Sequence, residues 1–268
     1  MTDMPAWYPG ELIAETRRRI NRGATVHSLV LWTKHPAAVL REPLCSFLNE
    51  LKERKIQLFI QLTITGMGGK ICGTDASGHS WKPEPHAPSP ESSLNHLPRL
   101  ISLTSHPDRI LLRIDPLLKV KDANGQLYSN VPEFKNIATE ASRMDIHYFT
   151  FSLVQPGIYR KVDRRFEKEG ITLLPFSPSD QKELQEQFTE LERQLNIHIS
   201  ACCVEGWPSS ACIDGKKLMR LHPENLDVSL RQPHSRPLCG CTLSTDLGGW
   251  PPKVCPTGCI YCYARPQR

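Results

Sequence analysis

Short β-rich runs that alternate with helical periodicity predict an α/β fold built on a parallel sheet. Two further observations sharpen this expectation. One run, Ile56–Thr63, is almost continuously apolar or β-branched, the pattern of a strand buried on both faces. From about Ala201 onward the chain turns rich in Cys, Pro and Gly and loses periodicity. That change divides it into a folded α/β unit over residues 1–200 and a Cys-rich segment over 201–268.

The elements follow in order. Val26–Trp32 reads as the first strand, and a helix is expected from about Pro36 to Arg54. Ile56–Thr63 is the next strand. Gly66–Ser93, containing GMGGK and SGHSWKPEPHAPSP, has little periodicity and reads as a long loop. Loops of this length inside a compact domain tend to be functional or disordered. Further strands are expected at Arg109–Ile114, Ile146–Leu153 and Ile197–Cys202. Between the last two lies the clearest helix, with Leu184, Phe188, Leu191 and Leu195 along one face and Ser179 or Asp180 as its cap. That stripe is core.

The chain has 268 residues, 39% of them hydrophobic, enough for one large α/β domain or two small ones. Its formal charge is +5, and the basic residues are scattered. Such a balance permits a phosphate-bearing partner without indicating one. No stretch approaches the roughly twenty apolar residues of a membrane helix, so no membrane partner is expected. The N-terminal run lacks the features of a signal peptide, which predicts a cytoplasmic, reducing location. There, ten cysteines point to metal or redox chemistry rather than disulfides.

The most informative stretch is Cys255-Pro-Thr-Gly-Cys259-Ile-Tyr-Cys262. Four-iron clusters are held by cysteine thiolates. A loop supplying three leaves one iron open to an outside ligand, much as catalytic metals keep a free position. Zinc is the competing reading, although zinc knuckles more often use paired C-x-x-C ligands. The triplet resembles the cluster loop of the radical S-adenosylmethionine (SAM) superfamily, and Cys262-Tyr-Ala-Arg-Pro266 resembles the spore photoproduct lyase branch in particular. Thr2-Asp3, Leu31-Trp-Thr-Lys34 with Leu40-Arg41-Glu42, Glu84-Pro85-His-Ala-Pro88-Ser-Pro90 and Arg113-Ile-Asp115-Pro116 resemble successive later strands of that branch. The resemblance implies a partial (β/α) barrel of about six parallel strands, circularly permuted so that its first strand and cluster loop stand at the C-terminus.

The whole chain also resembles an uncharacterised bacterial family with this order of motifs. They are TDxPAxY at Thr2–Tyr8, WTKxP at Trp32–Pro36, CID at Cys212–Asp214, and a C-x-C-x-x-S-x-D-x-G box at Cys239–Gly248. The glycine-glycine-glutamate with which many radical SAM enzymes bind the SAM amino group is missing. The resemblance then assigns Thr2 and Asp3 to SAM.

The remaining assignments combine resemblance and chemistry. Cys255, Cys259 and Cys262 would hold a [4Fe-4S] cluster that binds SAM, with Tyr261 packed over it. Cys203, Cys212, Cys239 and Cys241 would complete a second [4Fe-4S] cluster. Cys202 is the alternative to Cys203, and a structural zinc or free thiols are alternatives to the cluster. Lys34 follows a strand expected to end at the barrel mouth, where it would meet the SAM carboxylate or a substrate phosphate; a solvated lysine is the bland alternative. Arg113 and Asp115 share one strand face, either as interior functional groups or as a structural ion pair. Glu84, His79 and His86 lie in the long loop, where they could reach substrate or stand in solvent.

The activity implied is reductive cleavage of SAM to methionine and a 5′-deoxyadenosyl radical that abstracts hydrogen from an unidentified substrate. A ferredoxin or flavodoxin would donate the electron. Three rivals stay open: an iron–sulfur electron-transfer or sensor protein, a zinc-stabilised binding module, and a lyase-like enzyme on nucleic acid. Neither a basic stripe nor interleaved aromatics favour the last.

Overall fold

The structure, a computed structural model, describes residues 2–233 and 237–268. Five strands form one parallel sheet: β1 Ser28–Thr33, β2 Gln57–Thr63, β3 Ile110–Leu117, β4 Tyr148–Leu153 and β5 His198–Ala201. Their spatial order follows chain order. A doubly wound sheet reverses direction at a switch point. This one does not, and successive right-handed crossovers then place every connecting helix on the same side. The sheet is thus an open arc with β1 and β5 at its edges.

Alternation divides the side chains by face. Leu29, Leu31, Leu58, Ile60, Leu62, Leu112, Ile114, Phe149, Phe151 and Ile199 point to the helical side and are buried in one core. Against them pack Phe47, Leu48 and Leu51 of helix Leu44–Glu53, Phe134 and Ile137 of helix Val131–Ser142, and Leu184, Phe188 and Leu191 of helix Pro178–Leu195. The opposite, inner face carries Gln57, Phe59, Gln61, Arg113 and Thr150. Ile213 and Leu218 from the Cys-rich segment cover it around Phe59.

The structure refines several expectations. The helix expected over 36–54 is two, Pro36–Val39 and Leu44–Glu53. Pro43 at the break lacks the N–H an uninterrupted helix would need. The long helix begins at Pro178, capped by Ser177 in a reciprocal box with Asp180 rather than by Ser179. The long loop holds a small antiparallel ribbon, Gly73–Thr74 with Ser80–Trp81, and a short helix, Pro90–Leu94. A sixth strand before Cys255 is not present among the described residues. Pro251 and Pro252 remove two ladder donors there, and proline is confined to strand edges and bulges.

Candidate functional site

The cysteine triplet lies where the two ends of the chain meet. Thr2 Oγ1 donates to the Lys253 carbonyl at 2.7 Å, and the Tyr8 hydroxyl donates to that of Val254 at 2.8 Å. Trp7 Nε1 donates to Thr257 Oγ1 at 2.9 Å, and His35 Nε2 stands 3.0 Å from the same hydroxyl. Asp3 is spent on the adjoining wall. Its carboxylate accepts from Ala6 N, capping helix Met4–Trp7, and from Thr33 Oγ1 and Lys34 N at the end of β1. Burial raises the Asp3 carboxyl to about 6 in spite of these bonds.

Other backbone groups of the loop are also held. Cys255 N donates to the Arg265 carbonyl at 2.7 Å, and Gln267 N to the Cys255 carbonyl at 2.9 Å. Arg165 donates to the carbonyls of Ile260 and Cys262, and Arg268 donates to that of Gly258 while forking onto Glu169. Ile260 N reaches the Pro83 carbonyl at 3.0 Å, which pins the triplet to the long loop. Cys255 and Cys259 are buried and Cys262 is partly exposed.

Pro83 leads into Glu84, which is 1% exposed. Its Oε1 accepts from Thr65 Oγ1 at 2.6 Å, from the Tyr261 hydroxyl, and from Lys34 Nζ at 3.1 Å. Lys34 also stands 5.6 Å from the Tyr261 ring centre. Burial disfavours the Lys34 ammonium, but Glu84 and then Cys259 more than offset it, and its pKa is raised. Burial pushes the Cys259 thiol up, with Lys34 opposing. Three positions far apart in sequence, Lys34, Glu84 and Tyr261, thus form one group beside Cys259, with Glu84 buried and the other two partly buried.

Arg113 and Asp115 form the ion pair that their shared strand face allows, and Ser152 donates to the other Asp115 oxygen. Arg113 Nη1 also reaches Cys212 Sγ at 2.6 Å. Cys212 accepts from the thiols of Cys202 and Cys241, and Cys241 contacts Cys239. Those bonds, with Arg113, hold the Cys212 thiol well below its usual range despite burial. Of the alternatives Cys203 and Cys202, backbone direction separates the two. Ala201 sits in the helical core, so Cys202 falls on the inner face, whereas Cys203 leaves the strand with φ 57°. Among the described residues, no group of three or more His, Cys, Asp or Glu side chains stands in metal-ligating geometry. The four sulfurs form a hydrogen-bonded chain instead.

Asp214 caps helix Gly215–Arg220 through Lys217 N, and Asp246 accepts from Gly248 N. His79 lies away from these groups on the ribbon, hydrogen-bonded through its backbone to Asp75. Sequence reasoning missed Trp7, His35, Thr257 and Arg165. The two aromatic residues act through single ring nitrogens and Arg165 through backbone carbonyls, contacts that leave no spacing signature. A cleft of about 480 Å³ runs along the free edge of β1, between Leu12, Trp32 and the 242–250 segment, as far as Ala264. No helix is long and apolar enough to cross a membrane among the described residues.

The family model described as Domain of unknown function (DUF1848) matches residues 11–264, and the chain belongs to this family. No curated protein and no solved structure matches it.

Proposed function

We propose that this member of the DUF1848 family is a radical SAM enzyme with a circularly permuted partial barrel. Cys255, Cys259 and Cys262 are the residues that would hold the four-iron cluster. When bound, the cluster supplies one electron to SAM, yielding methionine and a 5′-deoxyadenosyl radical that takes hydrogen from the substrate. The observation that carries the reading is the seat of the triplet. Three thiols closely spaced in sequence, a donor type suited to iron–sulfur ligation, sit on a loop held beside the ends of β1 and β2 and against the Lys34–Glu84–Tyr261 group. Functional groups of parallel α/β barrels collect at that end of the strands. The in-order strands and the contact between residues 2–8 and 253–257 support the permutation.

The chain's own residues divide the work. Lys34 is the cation for the SAM carboxylate, and Glu84 orients it from beneath. Tyr261 covers the triplet from solvent. Thr2 and Asp3 act by position: their polar side-chain atoms already bind the Lys253 carbonyl and the end of β1. Arg113 and Asp115 face the interior from β3 and border the substrate space. An electron donor of ferredoxin or flavodoxin type completes the system.

Anaerobically reconstituted protein should be brown and, with dithionite, convert SAM to 5′-deoxyadenosine and methionine. Replacing Cys255, Cys259 or Cys262 by Ala should abolish that conversion. Intact SAM beside a fully loaded, reduced cluster would overturn the enzyme reading in favour of an electron-transfer or sensor protein. A colourless protein holding only zinc would favour a binding module.

A further inference from the structure

We infer that Cys202, Cys212, Cys239 and Cys241 form one site for a thiophilic metal, a zinc ion or an iron–sulfur cluster, separate from the triplet. Four observations carry this assignment. The first is convergence. The end of β5, the loop at 212 and the 239–241 turn are distant in sequence, yet backbone bonds join them: Ser210 N donates to the Ala201 carbonyl at 2.9 Å, Gly240 N to that of Ser210 at 3.2 Å, and Thr242 N to that of Ile213 at 2.7 Å. Four thiolates are a complete ligand set for either metal group.

The second is selection between neighbours. Cys202 N donates to the Phe151 carbonyl at 2.7 Å, so the strand pairing continues through Cys202 and fixes it on the inner face. Cys203 follows in left-handed backbone, with φ 57°, and so leaves the line of the strand. The third is charge. Four thiolates exceed the charge of a zinc ion by two, and burying that excess is costly without a cation. Arg113 is 7% exposed, directs a guanidinium N–H to Cys212 and is itself held by Asp115.

The fourth is the weakness of the segment's own core. Ile213 and Leu218 form a small cluster with Phe59, whereas Leu226, Leu230, Leu238, Leu243 and Trp250 are exposed. A stretch with so little apolar burial requires a staple, and metal binding supplies folding free energy directly. Unligated cysteine is among the most buried residue types; these four are only partly buried. The S–H···S chain and the ligand set are alternative uses of the same sulfurs, because each thiol gives up its proton on ligation.

The test uses the full chain carrying Cys255→Ala, Cys259→Ala and Cys262→Ala, purified anaerobically, with zinc, iron and sulfide measured per chain. About one zinc, or about four irons with matching sulfide, should remain. Adding Cys202→Ala should remove most of that metal, and adding Cys203→Ala should leave it. Should Cys202→Ala not fold, Cys202→His keeps a zinc ligand and should retain zinc where Cys202→Ser loses it. Metal that depends on Cys203 and not on Cys202 would overturn the assignment. So would a folded triplet variant with no metal, or one whose four thiols are found as disulfides. Failure of SAM cleavage alone would leave this site standing, because its readout is metal content with the triplet removed.

Discussion

Thr2 Oγ1 donates to the carbonyl oxygen of Lys253 at 2.7 Å, joining the beginning of the chain to the residue two places before Cys255. Trp7 extends the same seam through Thr257. An N-terminal segment remote from the loop would have separated Thr2 and Asp3 from the triplet; the hydrogen bonds bring them together. Trp7→Phe keeps an aromatic ring but removes the indole N–H and part of its volume, which should cost at least about 1 kcal/mol in urea unfolding. Unchanged stability would mean that the Trp7–Thr257 bond contributes nothing to the seam.

Asp3 and His35 give opposite pH dependences. The raised Asp3 pKa, about 6 against 3.8, means that its contribution is complete below 3.8 and is lost as pH rises through 6. Burial, then the Lys34 charge, lowers His35 to about 4 from 6.5. Its contribution is complete above 6.5 and is lost as pH falls through 4. Asp3→Asn should therefore gain on the parent protein as pH rises across this interval, and His35→Gln should gain as pH falls. Urea unfolding at both ends of the interval measures each difference, and pH-independent differences would refute the assignment.

Lys34 and Glu84 should be energetically coupled. Lys34→Met leaves a carboxylate that is 1% exposed without its cation, a loss of about 3 kcal/mol. Glu84→Gln alone strands the ammonium. The double variant Lys34→Met with Glu84→Gln should be less destabilised than the sum of the two by about 2 kcal/mol. Additivity in a double-mutant cycle would show that the pair does not act as a unit.

The five strands of the parallel sheet were legible because each is a short β-rich run bounded by polar or turn-forming residues, whereas the three-residue strands Lys119–Lys121, Leu127–Ser129 and Thr172–Leu174 were not. The parallel class followed from their alternation with helices. The break at Pro43 was missed, because the expectation ran one helix over 36–54 although a proline at that point cannot continue a helix. What was not legible lies in three dimensions. Lys34, Glu84 and Tyr261 carry no shared spacing, and only the fold brings strand end, loop and cysteine loop together. Cys202 and Cys203 are chemically identical neighbours. The choice between them turns on where β5 stops and on one left-handed residue, and alternation leaves that undetermined until the strand's end is known. The sixth strand follows from resemblance alone, against the local evidence of Pro251 and Pro252.

Gly258, inside the triplet, provides the last prediction. Its φ of +72° lies in left-handed backbone, and a Cβ there would stand 2.7 Å from the Gln267 carbonyl oxygen and 3.1 Å from Pro85 Cγ. Gly249 has a similar φ of +70° with nothing within 4 Å of the corresponding position. The two substitutions therefore separate backbone strain from collision. Gly249→Ala should cost about 1 kcal/mol, the strain alone. Gly258→Ala should cost at least about 2 kcal/mol, because the Gln267 backbone that pairs with Cys255 must also move. The same displacement should reduce the iron retained after anaerobic reconstitution for Gly258→Ala and leave it unchanged for Gly249→Ala. Equal costs and equal iron in the two variants would show that the turn accommodates a side chain and that its close packing does not shape the cysteine loop.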